Sequence, residues 1–239
     1  MAATEQAVRH QTWAGTVRRW RGRAFVLLVI LLAAALRLAN LTAQSMWADE
    51  GNSVRVTERS LGLVLDAARG DIHPPGYYVL LWSWVRLVGQ GEAAVRMLSV
   101  AIGVVLVGLV YFAGKRWFDA RAAWLAAFCA AVSPFQVAYS QEVRMYILVA
   151  ALAMAVAYAG GCWIAEQGRR RLPWGVVYVL AAAAGLWTHY SFPVVLAALN
   201  LAWLVWWLRS GQVAGRWRTL AEWMGLHLAV VLLYVPCLL

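Results

Sequence analysis

The chain has 239 residues, 63% hydrophobic and only 13% charged, with 21 Lys+Arg against 11 Asp+Glu for a net charge of +10. Soluble domains average about 45–50% apolar and about 25% charged residues, so the composition excludes an ordinary soluble domain, a disordered chain and a disulfide scaffold. A basic excess fits either nucleic acid or a membrane protein with basic cytoplasmic loops, and the apolar content favours the second.

A bilayer core of about 30 Å needs about 20 apolar residues as helix. Residues 24–43 meet this, with Arg37 as their one charge, and follow Arg18, Arg19, Arg21 and Arg23. The run is too long for a signal-peptide core. It predicts an uncleaved first span, with the basic segment 1–23 in the cytoplasm and Asp49–Glu50 outside. Residues 61–68 carry a short apolar stripe, Leu61, Val64, Leu65 and Ala68. Residues 74–89 carry a longer one, Tyr77, Leu80, Leu81, Trp84, Val85 and Val88. Both predict helices lying on the outer surface. Further spans are predicted at 97–114, 122–139, 146–165, 173–189, 193–208 and 220–239.

Charge parity sets this topology. Segments 115–121, 169–171 and 209–218 are basic, and with residues 1–23 they hold 14 of the 21 cations. Placing all four in the cytoplasm requires an even number of crossings between each pair. The 35 or so apolar residues after Arg171 therefore fold as two short spans, broken at Thr188–Pro193, and residues 74–89 do not cross. The prediction is an all-α integral membrane bundle of about seven transmembrane helices. The first outer loop, 44–96, carries two juxtamembrane helices, and residues 24–239 form one membrane module. The chain stops inside the apolar run 230–239, which leaves a missing C-terminal part open. Cys129, Cys162 and Cys237 each sit in an apolar run and read as small buried residues.

Seven of the eleven acids fall outside, with the arginines that topology does not explain. Asp49–Glu50 follow the first span; such a pair in a loop is ordinarily solvated, but here it could act as a general base or bind a cation. In Asp71–Ile72–His73–Pro74–Pro75 the prolines start a helix abruptly, leaving His73 near a helix N-terminus, where an anion is favoured. Glu142 and Arg144 lie on an outer turn and are open to reading as an ordinary interfacial pair. Arg96 could simply snorkel, Arg37 inside a span needs a partner or a cavity, and His189 marks a break between spans. A lipid phosphate would sit naturally among these groups.

Five segments in order, S-M-W-A-D-E-G (45–51), D-I-H-P-P-G-Y-Y (71–78), G-E-A-A-V-R-M-L-S (91–99), G-K-R-W-F (114–118) and S-P-F-Q-V-A-Y-S-Q-E-V-R-M-Y (133–146), resemble the family 39 glycosyltransferases and their protein O-mannosyltransferase and aminoarabinose transferase relatives. The resemblance spans about residues 36–190. It implies the GT-C membrane fold, and a transferase moving a mannose- or aminoarabinose-like sugar, with inversion, from a polyprenyl-phosphate donor. The acceptor would be a hydroxyl or phosphate of a lipid, glycan or protein, outside the cytoplasm; the near absence of lysine beside abundant Ala, Arg, Val and Trp suggests a GC-rich bacterial genome, and with it a bacterial inner membrane. Asp49 matches the catalytic carboxylate, with Glu50 supporting it or orienting the acceptor. His73, Arg96 and Arg144 match positions near the lipid phosphate; Glu142, Tyr146, Arg37 and His189 complete the candidate substrate-binding set. No metal is assigned, although some GT-C enzymes use a divalent cation. A polytopic transporter or lipid flippase is the alternative, a non-catalytic scaffold comes third, and nucleic acid is not an expected partner.

Overall fold

The computed structural model describes residues 22, 24–209 and 215–237, in which the regular structure is all helix, with no strand among them. The expected basic segment 1–23 lies outside the described residues apart from Gly22. In chain order the helices are α1 (Ala24–Leu38), α2 (Ala48–Thr57), α3 (Leu61–Arg69), α4 (Gly76–Val88), α5 (Glu92–Trp117), α6 (Ala120–Val132), α7 (Pro134–Ser140), α8 (Tyr146–Ala165), α9 (Arg171–Thr188), α10 (Phe192–Arg209) and α11 (Arg216–Tyr234). Among the described residues α5, α8, α10 and α11 are long and apolar enough to cross a membrane singly. The bent pair α6–α7 makes a fifth span if taken as one, and α1 is a shorter apolar helix.

Several boundaries differ from the sequence expectation. The first helix ends at Leu38 rather than 43, where Asn40 takes a positive φ of 56°. Gln141 closes that end, its side-chain amide donating to the carbonyls of Arg37 and Ala39 (3.1 and 2.8 Å). Helix α5 begins at Glu92, five residues before the expected 97, so Arg96 stands within its second turn. The expected span 122–139 is broken by 57° between α6 and α7. Pro134 has no N–H for the carbonyl of Ala130, so the ladder cannot continue through it, and Ser133 caps the new helix with its hydroxyl.

That break explains Arg37. Its side chain is fully buried, with Nη1 donating to the carbonyls of Ala33 and Ala131 (both 3.1 Å), Nη2 to that of Ala130 (3.3 Å) and Nε to Ser140 Oγ (3.1 Å). The guanidinium replaces the hydrogen bonds that Pro134 removes, in a setting with no water to do so. Gly103 on α5 permits the fit, since a Cβ there would overlap Ser140 Oγ and stand 2.8 Å from Arg37 Nε.

The core follows the same logic. α1, α5 and α6 meet through small residues, Val29, Ala33, Val107, Ala127 and Ala131. α8, α9, α10 and α11 meet through Val156, Tyr178, Phe192, Trp203 and Trp223. The short helices α3 and α4 cover one end, burying Val64, Ala68, Tyr77, Tyr78, Leu81 and Val85 against Val95, Leu98, Val143 and Met145. The amphipathic stripes are thus narrower than expected: Leu61, Leu80 and Val88 are exposed. Gly76 brings the start of α4 onto the end of α9, where an added Cβ would lie 2.6 Å from the carbonyl oxygen of Trp187. Of the cysteines, Cys162 is buried and Cys237 intermediate, but Cys129 is exposed on the flank of α6, an apolar surface that membrane hydrocarbon can cover.

Candidate active site

Asp49 and Glu50 occupy the first turn of α2, where the helix dipole favours acids. Neighbouring residues on a helix diverge by about 100°, so the two carboxylates cannot serve the same surface. Glu50 points inward and is almost fully buried. Its Oε1 accepts from Arg96 Nε (3.1 Å) and from the backbone N–H of Val143 (2.8 Å), and its Oε2 from Arg96 Nη2 (2.9 Å). Arg96 also donates through Nη1 to the carbonyls of Leu41 and Gln44 (2.6 and 3.0 Å) and pairs with Glu92 (2.8 Å). The Glu50–Arg96 pair is a clasp joining the loop after α1, the start of α2, α5 and the α7–α8 turn. A buried, bidentate pair of this kind has its lone pairs and donors committed to the protein.

Asp49 points outward, with its side chain 51% exposed and one oxygen 3.5 Å from Arg144 Nη2. Arg144 is buried, with 5% of its surface accessible, and its Nε has no hydrogen-bond partner among the described residues. Its Nη1 lies 3.5 Å from Ser53 Oγ, one turn beyond Asp49. Burial works against the charge, but Tyr146, Asp49 and Tyr78 around it raise the Arg144 pKa on balance, so it remains a cation. Its guanidinium carbon lies 5.7 Å from the Tyr146 ring centroid.

Two histidines complete this cluster. The rings of His73 and His189 meet edge-on at 5.4 Å, and His189 lies 6.4 Å from Tyr146. Hydrogen-bond chemistry sets their tautomers. Asp71 Oδ1 accepts from the His73 backbone N–H (3.0 Å) and lies 3.3 Å from Nδ1, while Oδ2 accepts from the Tyr78 hydroxyl (3.1 Å). A carboxylate only accepts, so His73 carries its hydrogen on Nδ1 and turns Nε2 away from Asp71. Burial and the charge of Asp71 push the Tyr78 pKa up to about 12, which keeps that phenol a donor. In His189, Nδ1 accepts from the Ser191 backbone N–H (3.1 Å), so the neutral ring carries its hydrogen on Nε2. Burial, and then the charges of His73 and Arg144, lower its pKa and favour that neutral form.

Of the residues expected from sequence, Asp49, Arg144, Tyr146, His73 and His189 are linked by these contacts. Glu50, Arg96 and Glu142 line an adjacent cavity of about 590 Å³, with Gln44, Trp47 and Gln141. Burial and the charge of Glu50 raise the Glu142 pKa. Arg37 stands apart at the α6–α7 break. Sequence reasoning left out Asp71, Tyr78 and Ser53 as site residues; Asp71 and Tyr78 are legible only as members of the segment 71–78 that holds His73. Among the described residues no three of His, Cys, Asp and Glu converge as a metal set, so no ligand set is assigned to a divalent cation.

Residues 72–238 match the family of dolichyl-phosphate-mannose-protein mannosyltransferases, and the chain belongs to it. No curated protein sequence matches the chain. Among solved structures it is similar to ArnT from Cupriavidus metallidurans in the apo state, with a TM-score of 0.68 at 19% identity, covering 90% of this chain and 41% of that one. The same enzyme bound to undecaprenyl phosphate gives 0.68 at 20% identity, with the same coverage. The Pmt1–Pmt2 protein O-mannosyltransferase complex of S. cerevisiae bound to the sugar donor gives 0.70 at 15% identity, covering 91% of this chain and 33% of that one. The fold is therefore that of the GT-C membrane transferases, in a multi-pass membrane protein, and the chain spans about two fifths or less of the length of these structures.

Proposed function

We propose that this chain is the catalytic membrane module of a transferase that moves a sugar from a polyprenyl-phosphate donor to an acceptor at the extracytoplasmic face. The observation that carries this reading is the pairing of a half-exposed carboxylate, Asp49, with the buried Arg144, whose Nε is unoccupied. Asp49 takes the proton from the acceptor hydroxyl. The acceptor oxygen attacks the anomeric carbon from the side opposite the phosphate, and the bond from that carbon to the phosphate oxygen breaks, inverting the centre. The leaving phosphate gathers negative charge against Arg144 and the Nε2–H of His189, donors placed before the charge develops, while the His73 ring packs edge-on against His189 and holds it in place. Glu50, locked to Arg96, fixes the helix that presents Asp49. The cavity lined by Glu142 and Gln141 offers hydrogen-bonding groups to an acceptor, and its volume falls in the range of about 300–1,000 Å³ of small-molecule sites.

The relatives support the donor class, since one carries undecaprenyl phosphate and another a sugar donor. A flippase or transporter is less well served by the arrangement, because the charged groups gather at one end of the bundle instead of midway through it. The N-terminus and basic loops are cytoplasmic in this reading and the module crosses the membrane seven times. Mannose-like and aminoarabinose-like sugars are both compatible with the site. The test is transfer from polyprenyl-phosphate-linked sugars by the reconstituted protein: wild type turns over, Asp49→Asn does not, and equal turnover by the two excludes Asp49 as the base.

A further inference from the structure

At the end of the bundle opposite Asp49, a groove of about 640 Å³ runs between α9 and α11. Its floor is hydrocarbon, with Trp163, Leu172, Val176, Leu180 and Leu226, whereas Arg169, Arg171 and Arg218 stand with a single acid, Glu222, among its lining residues. Glycines shape it. At Gly175 a Cβ would come 3.1 Å from Leu226, so α11 closes onto α9 there, but at Gly225 a Cβ would stand in open space.

The acid is shared. Glu222 accepts from Arg171 Nη1 (3.0 Å) through Oε2 and from Arg218 Nε (2.9 Å) through Oε1. Arg171 is fixed further by its Nε bond to the Glu166 carbonyl (2.7 Å) and by the Trp163 ring, whose centroid lies 4.4 Å from its guanidinium carbon. Among the lining residues one carboxylate faces three arginines, an excess of two positive charges. Arg218 is 82% exposed, and Arg169 has no ion pair among the described residues.

A small anion would use the rim and leave the apolar slot unfilled. An apolar helix would fill the slot and cover the arginines without a counter-charge, at a desolvation cost. A molecule with a phosphate on a hydrocarbon chain satisfies both halves, and basic pockets between membrane helices attract such headgroups. We propose that the α9–α11 groove is a site for an anionic phospholipid, with its phosphate at Arg169, Arg171 and Arg218 and an acyl chain along Gly225. The site is separate from the proposed catalytic cluster and does not depend on the transferase reading.

Native mass spectrometry of the purified full chain tests this, with phosphatidylglycerol, phosphatidylcholine and glycerol phosphate as probes. The wild type retains phosphatidylglycerol about tenfold better than phosphatidylcholine, and an excess of glycerol phosphate does not displace it. The double variant Arg169→Gln/Arg218→Gln loses the preference, Arg169→Lys/Arg218→Lys keeps it, and Gly225→Leu, which fills the slot with the rim intact, loses retention. Equal retention of the two lipids by the wild type overturns the proposal, as does an unchanged preference in the glutamine pair or its loss in the lysine pair. Undiminished retention by Gly225→Leu excludes the acyl chain from the groove. Displacement by glycerol phosphate reassigns the rim to a free phosphate.

Discussion

Asp49 and Glu50 are one peptide bond apart and do opposite things. The difference comes from helix geometry alone: one carboxylate is turned into the clasp with Arg96, the other toward Arg144 and solvent. Glu142 gives a test by pH. Its pKa is raised by burial and by Glu50, so the fold disfavours its charged form. The stability that protonated Glu142 contributes is fully present below its unfolded pKa and is lost as pH rises through the folded one. Glu142→Gln, neutral at every pH, therefore raises the unfolding temperature at neutral pH. That gain disappears below the ordinary carboxylate range, as measured by thermal unfolding in detergent from pH 3 to 8. Arg37 separates two roles. The sequence alone admits it to the substrate set, but its donors serve the carbonyls at the Pro134 break. Arg37→Leu leaves those carbonyls unpaired, at about 1–3 kcal/mol each. It lowers thermal stability sharply while donor affinity of the folded fraction stays unchanged; a lost affinity at unchanged stability would return Arg37 to the site.

The short covering helices are the elements that assemble the cluster. α4 carries Tyr78 and follows His73, and it meets α9, which ends before His189, where Gly76 lies against the Trp187 carbonyl. Gly76→Ala forces the two elements apart by a Cβ that backbone atoms cannot accommodate. We expect a cost of about 1–3 kcal/mol and a fall in donor affinity from the separation of His73 and His189, read by thermal unfolding and lipid-phosphate binding together; a stability loss without change in affinity would show that the two histidines do not act jointly. The elements themselves were largely legible. Runs of apolar residues gave the long helices, and the prolines at 74–75 foretold the start of α4. The 57° break at Pro134 was missed, because the hydropathy of 122–139 is continuous across it. The clasp was missed for another reason: Glu50 and Arg96 are 46 residues apart, and no local pattern announces a pairing at that distance. The same holds for Asp71, whose acceptor role toward Tyr78 depends on how α4 turns.

At the scale of the whole molecule, the charge of +10 sorts the two ends of the bundle. The Asp49 end holds acids and arginines in near balance, and the other carries Lys115, Arg116 and the arginines of 169–171. By the positive-inside tendency we propose that the second end faces the cytoplasm. In a variant lacking the native cysteines, a membrane-impermeant thiol reagent labels Glu58→Cys in intact right-side-out vesicles and Arg170→Cys only after permeabilisation. The reverse pattern would invert the proposed topology and move the chemistry to the cytoplasmic face.

The division of labour between Asp49 and Arg144 is the claim on which the proposed chemistry rests. Its most direct measurement is donor affinity alongside turnover in the reconstituted protein, with undecaprenyl-phosphate-linked sugars. A base acts on the chemical step, so Asp49→Asn abolishes kcat with donor Kd unchanged. A phosphate-binding cation acts on both, so Arg144→Gln weakens donor binding about tenfold or more, consistent with a lost charge-assisted hydrogen bond. Wild-type turnover in Asp49→Asn, or wild-type donor affinity in Arg144→Gln, would contradict it.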